Sequence, residues 1–155
     1  MFVKDVMDRT APAVPESASL NDFIVILKRT ERTTLAVVDK GKTLIGIISL
    51  HDLIRHFSPQ YIGLIPSIDF LGKAEVLEHH LLSQITEPET SQLFLVHDIM
   101  IGDILAVHEN DSTFKALALM IHKKYHHLPV VGDGMKYIGM IDQRSIVMSL
   151  LSSAS

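Results

Sequence analysis

Hydrophobic positions early in the chain predict a helix that follows a short extended segment. Apolar residues at 20, 23, 24 and 27 have the spacing of an amphipathic helix. Ser19 and Asp22, three residues apart, form a capping-box signature at its start. Pro12 and Pro15 leave room before the helix for only a brief extended piece, which we expect at a sheet edge.

Two apolar runs then predict a β-hairpin. The first is Leu35–Val38 and the second is Thr43–Ile48, and the polar turn between them contains Gly41. Helical spacing returns directly after Ser49 and continues to Phe57. The order from the first proline pair onward is therefore strand, helix, strand, strand, helix.

The pattern of the first third of the chain returns near the C-terminus at a constant offset of 93 residues (96 − 3). The register holds without a gap for roughly fifty positions, which indicates an internal repeat. Identical pairs include Val3 and Val96, Asp5 and Asp98, Met7 and Met100, Ser19 and Ser112, Leu35 and Leu128, Gly46 and Gly139, and Ile48 and Ile141.

This repeat predicts the domain organisation. We expect an α/β fold of two β-α-β-β-α repeats, over residues 1–57 and 96–155, packed about a pseudo-two-fold axis. Each copy alone is too small to bury a sufficient core, which favours packing one against the other. Residues 58–95 are predicted to form a helical connection and an exposed linker.

The composition limits the possible partners. The chain is 47% hydrophobic and 21% charged, as expected of a globular protein, and its net charge of −4 gives no basic surface for nucleic acid. The absence of cysteine excludes disulfides, thiol catalysis and cysteine-bound zinc. No apolar run approaches the roughly 20 residues of a membrane span, and the N-terminus lacks a signal-peptide core. These features predict a cytoplasmic protein without membrane insertion.

The corner between the second hairpin strand and its following helix is the strongest candidate site. Ser49 lies where free backbone N–H groups and the positive end of a helix dipole favour a phosphate. Asp52 offers a carboxylate that can accept both hydroxyls of a ribose, and Gly46 lets another group approach the backbone closely. The same Ser-x-x-Asp spacing is also a capping box that serves only the helix start, and the sequence alone leaves both interpretations open.

Three features of the chain are similar to those of a known family. They are the opening Val-x-Asp-Val/Ile-Met of each copy, the strand entry His127–Val131 and the heptad Gly46–Asp52. With them the chain resembles a tandem pair of cystathionine β-synthase (CBS) domains, and the heptad matches the family motif Gly-h-x-Thr/Ser-x-x-Asp. The resemblance implies a regulatory module that binds an adenine nucleotide (AMP, ADP or ATP) in the cleft between repeats.

The resemblance also implies roles for individual residues. Ser49 would meet the phosphate, Asp52 would bind the ribose hydroxyls and Ile47 would flank the adenine, beside Gly46. The second repeat would complete the pocket with Ile104, Leu105, Ala106, Tyr125, His126 and His127. An aromatic ring and imidazoles just before a strand also suit the packing of a base and donation to a phosphate.

The second copy of the motif departs from the family pattern. Asp142 replaces the Ser/Thr, and Ser145 replaces the ribose-binding Asp. Asp142 is a good helix cap, but its charge would repel a phosphate. We expect one competent site per chain and a weakened or empty counterpart, which would lie near Thr10, Ala13, Arg32 and Thr33.

The histidines raise the alternative of a metal site. His122 and His126 lie four residues apart, and His79 and His80 form another pair. No third ligand can be assigned, so no metal is expected. No Ser-His-Asp arrangement is evident either, and we do not expect an enzyme.

Lysines and arginines follow the first helix of each repeat. Lys123 and Lys124 in one copy, and Arg29 and Arg32 in the other, complement the negative end of a helix dipole. We favour this structural role over ligand contact.

The predicted function is that of a stand-alone module that signals nucleotide occupancy. We expect it to act as a homodimer or on an effector protein in trans, with Tyr61, Phe70 and Leu77 of the connection as a candidate movable or dimer surface. The competing interpretations are an interaction module without a nucleotide and, less favoured, a histidine-based metal sensor.

Overall fold

A computed structural model describes residues 1–57, 83 and 87–154. The first repeat begins with a short 3-10 helix and then alternates strands and helices. Its elements are the 3-10 helix Val3–Asp5, β1 (Ala13–Pro15), α1 (Leu20–Thr30), β2 (Thr34–Val38), β3 (Leu44–Ser49) and α2 (Leu50–Phe57).

A short helix, α3 (Pro88–Leu93), precedes the second repeat, which has the same order of elements as the first. Its elements are α4 (Val96–Ile99), β4 (Val107–His108), α5 (Thr113–Lys123), β5 (His127–Val131), a 3-10 turn (Asp133–Met135), β6 (Tyr137–Asp142) and α6 (Gln143–Ser153). The α/β class and the duplicated β-α-β-β-α unit are therefore confirmed. The connection residues Tyr61, Phe70 and Leu77, and the pair His79 and His80, lie outside the described residues.

Each repeat contributes one three-stranded sheet. In the first, β1 pairs parallel to β2 and β2 pairs antiparallel to β3, and β4, β5 and β6 repeat this order. The register repeats too: Ala36 lies opposite Ile47, and Pro129, 93 residues later, lies opposite Met140. β1 is an edge strand, as Pro12 before it and Pro15 at its end predict.

The two hydrophobic cores exchange their N-terminal segments. Val3 and Met7, from the start of the first repeat, are buried in the core of the second. Val96 and Ile99, from the start of the second repeat, are buried in the core of the first. A smaller apolar cluster joins the halves: Ala11, Ala36, Leu44, Val131 and Met140. Each hydrophobic core is thus built from residues of both sequence repeats.

Each exchanged segment ends by pairing with the last strand of the other half. The Ile101 N–H donates to the Ile47 carbonyl at 2.8 Å, and the Ile47 N–H donates back at 3.0 Å. Asp8 and Met140 exchange the equivalent pair of bonds at 2.8 and 3.1 Å. These crossings bring the segment after α4 against β3, directly beside the predicted nucleotide corner.

Within residues 1–57, 83 and 87–154, no helix combines the length and the apolar character that a bilayer span requires.

Candidate functional site

The corner between β3 and α2 contains a complete capping box. The Asp52 N–H donates to Ser49 Oγ at 3.1 Å, and the Ser49 N–H donates back to Asp52 Oδ2 at 3.0 Å. The Ser49 hydroxyl also donates to Asp52 Oδ2 at 2.7 Å. Ser49 and Asp52 therefore do cap α2, as the capping-box interpretation predicts. It leaves Asp52 Oδ1 without a hydrogen bond among the described residues.

A cleft of about 470 Å³ opens beside this corner, between the two repeats. Eight of the ten residues predicted for the site line it: Ile47, Ser49, Asp52, Ile104, Leu105, Tyr125, His126 and His127. Ile47, Ile104 and Leu105 supply apolar surface, and the half-buried Ser49 and Asp52 supply polar groups. The arrangement offers an apolar surface for a base beside a helix N-terminus, and the capping box does not close it.

Gly46 and Ala106 are the two predicted site residues that do not line the cleft. Gly46 does permit a close approach, but the approaching group is the chain itself, since a Cβ there would lie 2.7 Å from Met100 Sδ and 3.0 Å from the Ile101 carbonyl oxygen. Ala106 packs into the apolar cluster between the two halves. Both residues therefore contribute to the packing around the cleft and not to its lining.

The loop between α5 and β5 carries the residues of the second repeat into the cleft. Helix α5 ends at Lys123, and Lys124 adopts the left-handed conformation (φ 58°), which turns the chain sharply. Gln143 at the start of α6 fixes the next residues, because its Nε2 donates to the Tyr125 carbonyl at 3.1 Å and its N–H to the His126 carbonyl at 3.3 Å. Tyr125 and His126 are thereby held at the mouth of the cleft.

Several lining residues were not predicted as part of the site. They are Thr33, Thr34, His51, Arg55, Ile101, Asp103 and Lys124. Thr33 was expected beside the second site, and Lys124 was assigned to the helix dipole. Arg55 is three residues beyond Asp52, close to one helical turn, and that spacing was the available signal. Ile101 reaches the cleft only through the segment exchange, for which the sequence gives no signal.

His127 is the titratable group in the cleft whose pKa is most clearly displaced. Burial lowers the pKa of His127, because the imidazolium loses solvation, and the nearby Asp142 carboxylate opposes this effect. His126 and Arg32 act in the same direction as burial. The half-buried imidazole is therefore held in its neutral form more strongly than a free histidine.

The counterpart of this corner, at the second copy of the motif, contains the carboxylates Asp142 and Asp8. Asp142 Oδ1 accepts the Ser145 N–H at 2.7 Å and caps α6. Arg32 forms an ion pair with Asp8, which also accepts the Thr10 N–H at 2.8 Å. The Thr10 hydroxyl bond, and to a lesser extent Arg32, lower the pKa of Asp8. The weakness of this second site remains a prediction.

His122 and His126 do not lie on one helical face. His122 lies in α5, whereas His126 lies beyond its end at Lys123. No cluster of three or more potential metal ligands occurs within residues 1–57, 83 and 87–154.

Comparisons with known proteins give a consistent result. The CBS domain family model matches residues 3–59 and 96–152. The chloroplastic CBS domain-containing protein CBSX2 of Arabidopsis thaliana is 28% identical over 143 residues, which are 89% of this chain and 58% of that protein. The chain thus spans less than two thirds of this relative.

Solved structures share the fold. A crystal structure of CBSX2 in complex with AMP covers 99% of this chain and 98% of its own, with 24% identity and a TM-score of 0.70. A CBS domain-containing protein of unknown function from Bacillus anthracis covers 98% of this chain and 94% of its own, with 21% identity and a TM-score of 0.73.

Proposed function

This chain belongs to the CBS domain family, and from that premise we propose that it is a regulatory module that binds an adenine nucleotide in the cleft beside Ser49 and Asp52 and signals its occupancy. The observation that carries the proposal is the convergence of eight predicted residues from both repeats on one open cleft. The AMP complex of the similar protein CBSX2 supports the ligand class.

The chemistry of the cleft suits the three parts of such a ligand. Ile47, Ile104 and Leu105 provide the apolar contacts that an adenine ring needs. The free Oδ1 of Asp52 would accept a ribose hydroxyl, and the start of α2 would receive the phosphate. Binding of this kind need not break the capping box, because only Asp52 Oδ2 is engaged there.

The decisive experiment is calorimetric titration of AMP into the wild type and the Asp52→Ala variant. Loss of a hydrogen bond to a charged group costs about 1.5–3 kcal/mol, so we expect the affinity of Asp52→Ala to fall at least roughly tenfold. Unchanged AMP affinity in Asp52→Ala would contradict the proposal.

Asp22→Ala is the matched control. Asp22 completes an equivalent capping box at the start of α1, where the Ser19 N–H donates to Asp22 Oδ2 at 3.1 Å, and it does not line the cleft. Both variants lose the carboxylate bond of a capping box and keep its N-cap serine, so their stabilities should fall by similar amounts. Asp22→Ala should bind AMP like the wild type, so a fall confined to Asp52→Ala is due to the ligand contact.

The alternative of an interaction module without a nucleotide rests on the completeness of the Ser49–Asp52 box. If the box exists only to cap α2, the wild type should bind no adenine nucleotide, and Asp52→Ala should differ from it only in stability. The titration therefore separates the two functions.

Signalling requires a partner, and we propose a second copy of the chain. Large apolar side chains are exposed on α5 and α6, with Phe114 78% and Ile121 65% exposed on α5 and Leu151 60% exposed on α6. Apolar area of this kind on neighbouring helices is typical of an interface. An effector in trans, a cytoplasmic location and the absence of catalysis stay predictions; the CBSX2 relative is described as chloroplastic.

A further inference from the structure

Two cations line the cleft without a partner in the described part of the chain. Neither the Lys124 ammonium nor the Arg55 guanidinium forms a hydrogen bond or an ion pair there, although Asp52 and Asp103 line the same cleft. Elsewhere several cations are paired, as Arg9 is with Glu109 at 3.3 Å and Lys115 is with Asp111 at 2.8 Å. Unpaired cations in a concave site favour an anionic ligand.

The internal repeat provides a comparison for Lys124. Its equivalent, 93 residues earlier, is Glu31, and each residue directly follows an 11-residue helix in the left-handed conformation, with φ 58° and 54°. The side chains therefore leave equivalent backbones in equivalent directions. One half of the molecule has a positive charge at this place and the other half has a negative charge.

Neighbouring positions also carry less positive or more negative charge in the counterpart. Arg55 corresponds to Met148, and Ser49 corresponds to Asp142. The counterpart of the cleft, at the second copy of the motif, also has a cation, Arg32 of the first repeat, but it is paired with Asp8. The cleft beside the Ser-x-x-Asp motif is instead lined by Lys124 and Arg55, whose side chains have no partner among the described residues.

We propose that Lys124, supported by Arg55, makes the cleft select phosphorylated adenosine over adenosine itself. This proposal rests on the function proposed above. The apolar contacts of Ile47, Ile104 and Leu105 bind a base whatever the charge of the ligand, so they cannot discriminate. An ammonium group at the end of α5 binds a charged phosphate more strongly than a neutral ribose hydroxyl.

The test is titration of AMP and adenosine into the wild type, Lys124→Glu and Lys124→Gly. Lys124→Glu places the charge of Glu31 in the cleft and should weaken AMP by about tenfold or more, while adenosine changes by less than about twofold. Lys124→Gly removes the charge in a residue that adopts the left-handed conformation without penalty, so it should fold and should weaken AMP selectively.

Lys123→Glu is the control, because Lys123 is the neighbouring exposed residue on α5 and does not line the cleft. It should leave both affinities unchanged. Equal weakening of AMP and adenosine by Lys124→Glu, or no weakening of AMP, would overturn the assignment of Lys124. A wild type that binds neither ligand would instead refute the proposed function, and the role of Lys124 with it.

Discussion

At the scale of single residues, His127 links the cleft to pH. It begins β5, lines the cleft and is half-buried, and burial holds its pKa below the usual value of 6.5. The unfolded chain therefore binds a proton at this residue more readily than the folded chain does. Stability should rise with pH across this window, and it should fall as the pH drops through about 6.5 toward the lowered pKa of the folded state.

We predict that His127→Gln flattens this dependence. Unfolding free energies from urea titrations between pH 7.5 and 5.5 should fall less steeply in the variant than in the wild type. His122→Gln, at an exposed position on α5, should retain the wild-type slope. The lowered pKa values of Asp8 and Asp111 act only at lower pH, so they do not obscure the comparison. An unchanged slope in His127→Gln would refute the role of burial.

The nucleotide should change the same slope. A phosphate in the cleft favours the charged imidazole and so opposes the effect of burial. With saturating AMP, the wild-type stability should therefore decline less on acidification than it does without ligand.

The residues at the corner between β3 and α2 show what the sequence can and cannot predict. The spacing of Ser49 and Asp52 predicted both a helix start and a candidate site, because residues three apart at a helix start are close enough to form hydrogen bonds. Lys124 and Arg55 were not assigned to the cleft, because exposed cations near helix ends occur for many reasons. Whether these two residues line the cleft depends on how the two repeats pack against each other.

At the scale of elements, Gly46 fixes the crossing of the segment after α4 over β3. A side chain there would meet Met100 Sδ at 2.7 Å and the Ile101 carbonyl oxygen at 3.0 Å, and the latter is backbone that cannot rotate away. We predict that Gly46→Ala lowers the urea-derived free energy of unfolding by about 1–3 kcal/mol. It should also weaken AMP binding, because Ile101 lines the cleft.

Gly102→Ala is the control for this crossing. A Cβ at Gly102 meets no atom within 4 Å among the described residues, so the substitution should change stability by less than about 0.5 kcal/mol. If Gly46→Ala were as stable as Gly102→Ala, the close approach of Ile101 to Gly46 would not limit which residue can occupy this position.

The elements themselves were predictable, but their exchange was not. Hydrophobic spacing predicts a buried stripe of four residues on α1; Leu20, Phe23 and Leu27 are buried, and Ile24 is half-buried. The spacing reports which side of a segment is buried and not which partner buries it. For that reason nothing in the pattern of residues 1–8 indicated that Val3 and Met7 belong to the core of the second repeat.

At the scale of the whole molecule, the exchange makes the two halves interdependent. Each core contains apolar side chains from the start of the other repeat, so separating the halves would expose both cores to water. The cleft is built from both halves as well, and a ligand there stabilises the joined arrangement by mass action. A signal to a second chain must then leave through the outer surface.

The repeat also identifies which outer surface to test. Phe114 and Ile121 are two turns apart on one side of α5, whereas their equivalents on α1 are the polar Asn21 and Lys28. We predict that the wild type is a dimer and that Phe114→Glu combined with Ile121→Glu yields a monomer in sedimentation velocity. Charges at the centre of an apolar interface lose their solvation without gaining a partner.

Asn21→Glu combined with Lys28→Glu places the same side chains at the equivalent positions of α1. This variant should remain a dimer, because the α1 surface is already polar and the substitutions bury no charge. Should both double variants sediment like the wild type, α5 would not be the interface. Should both dissociate, the contact would involve the two repeats alike, and the apolar difference between α1 and α5 would need another explanation.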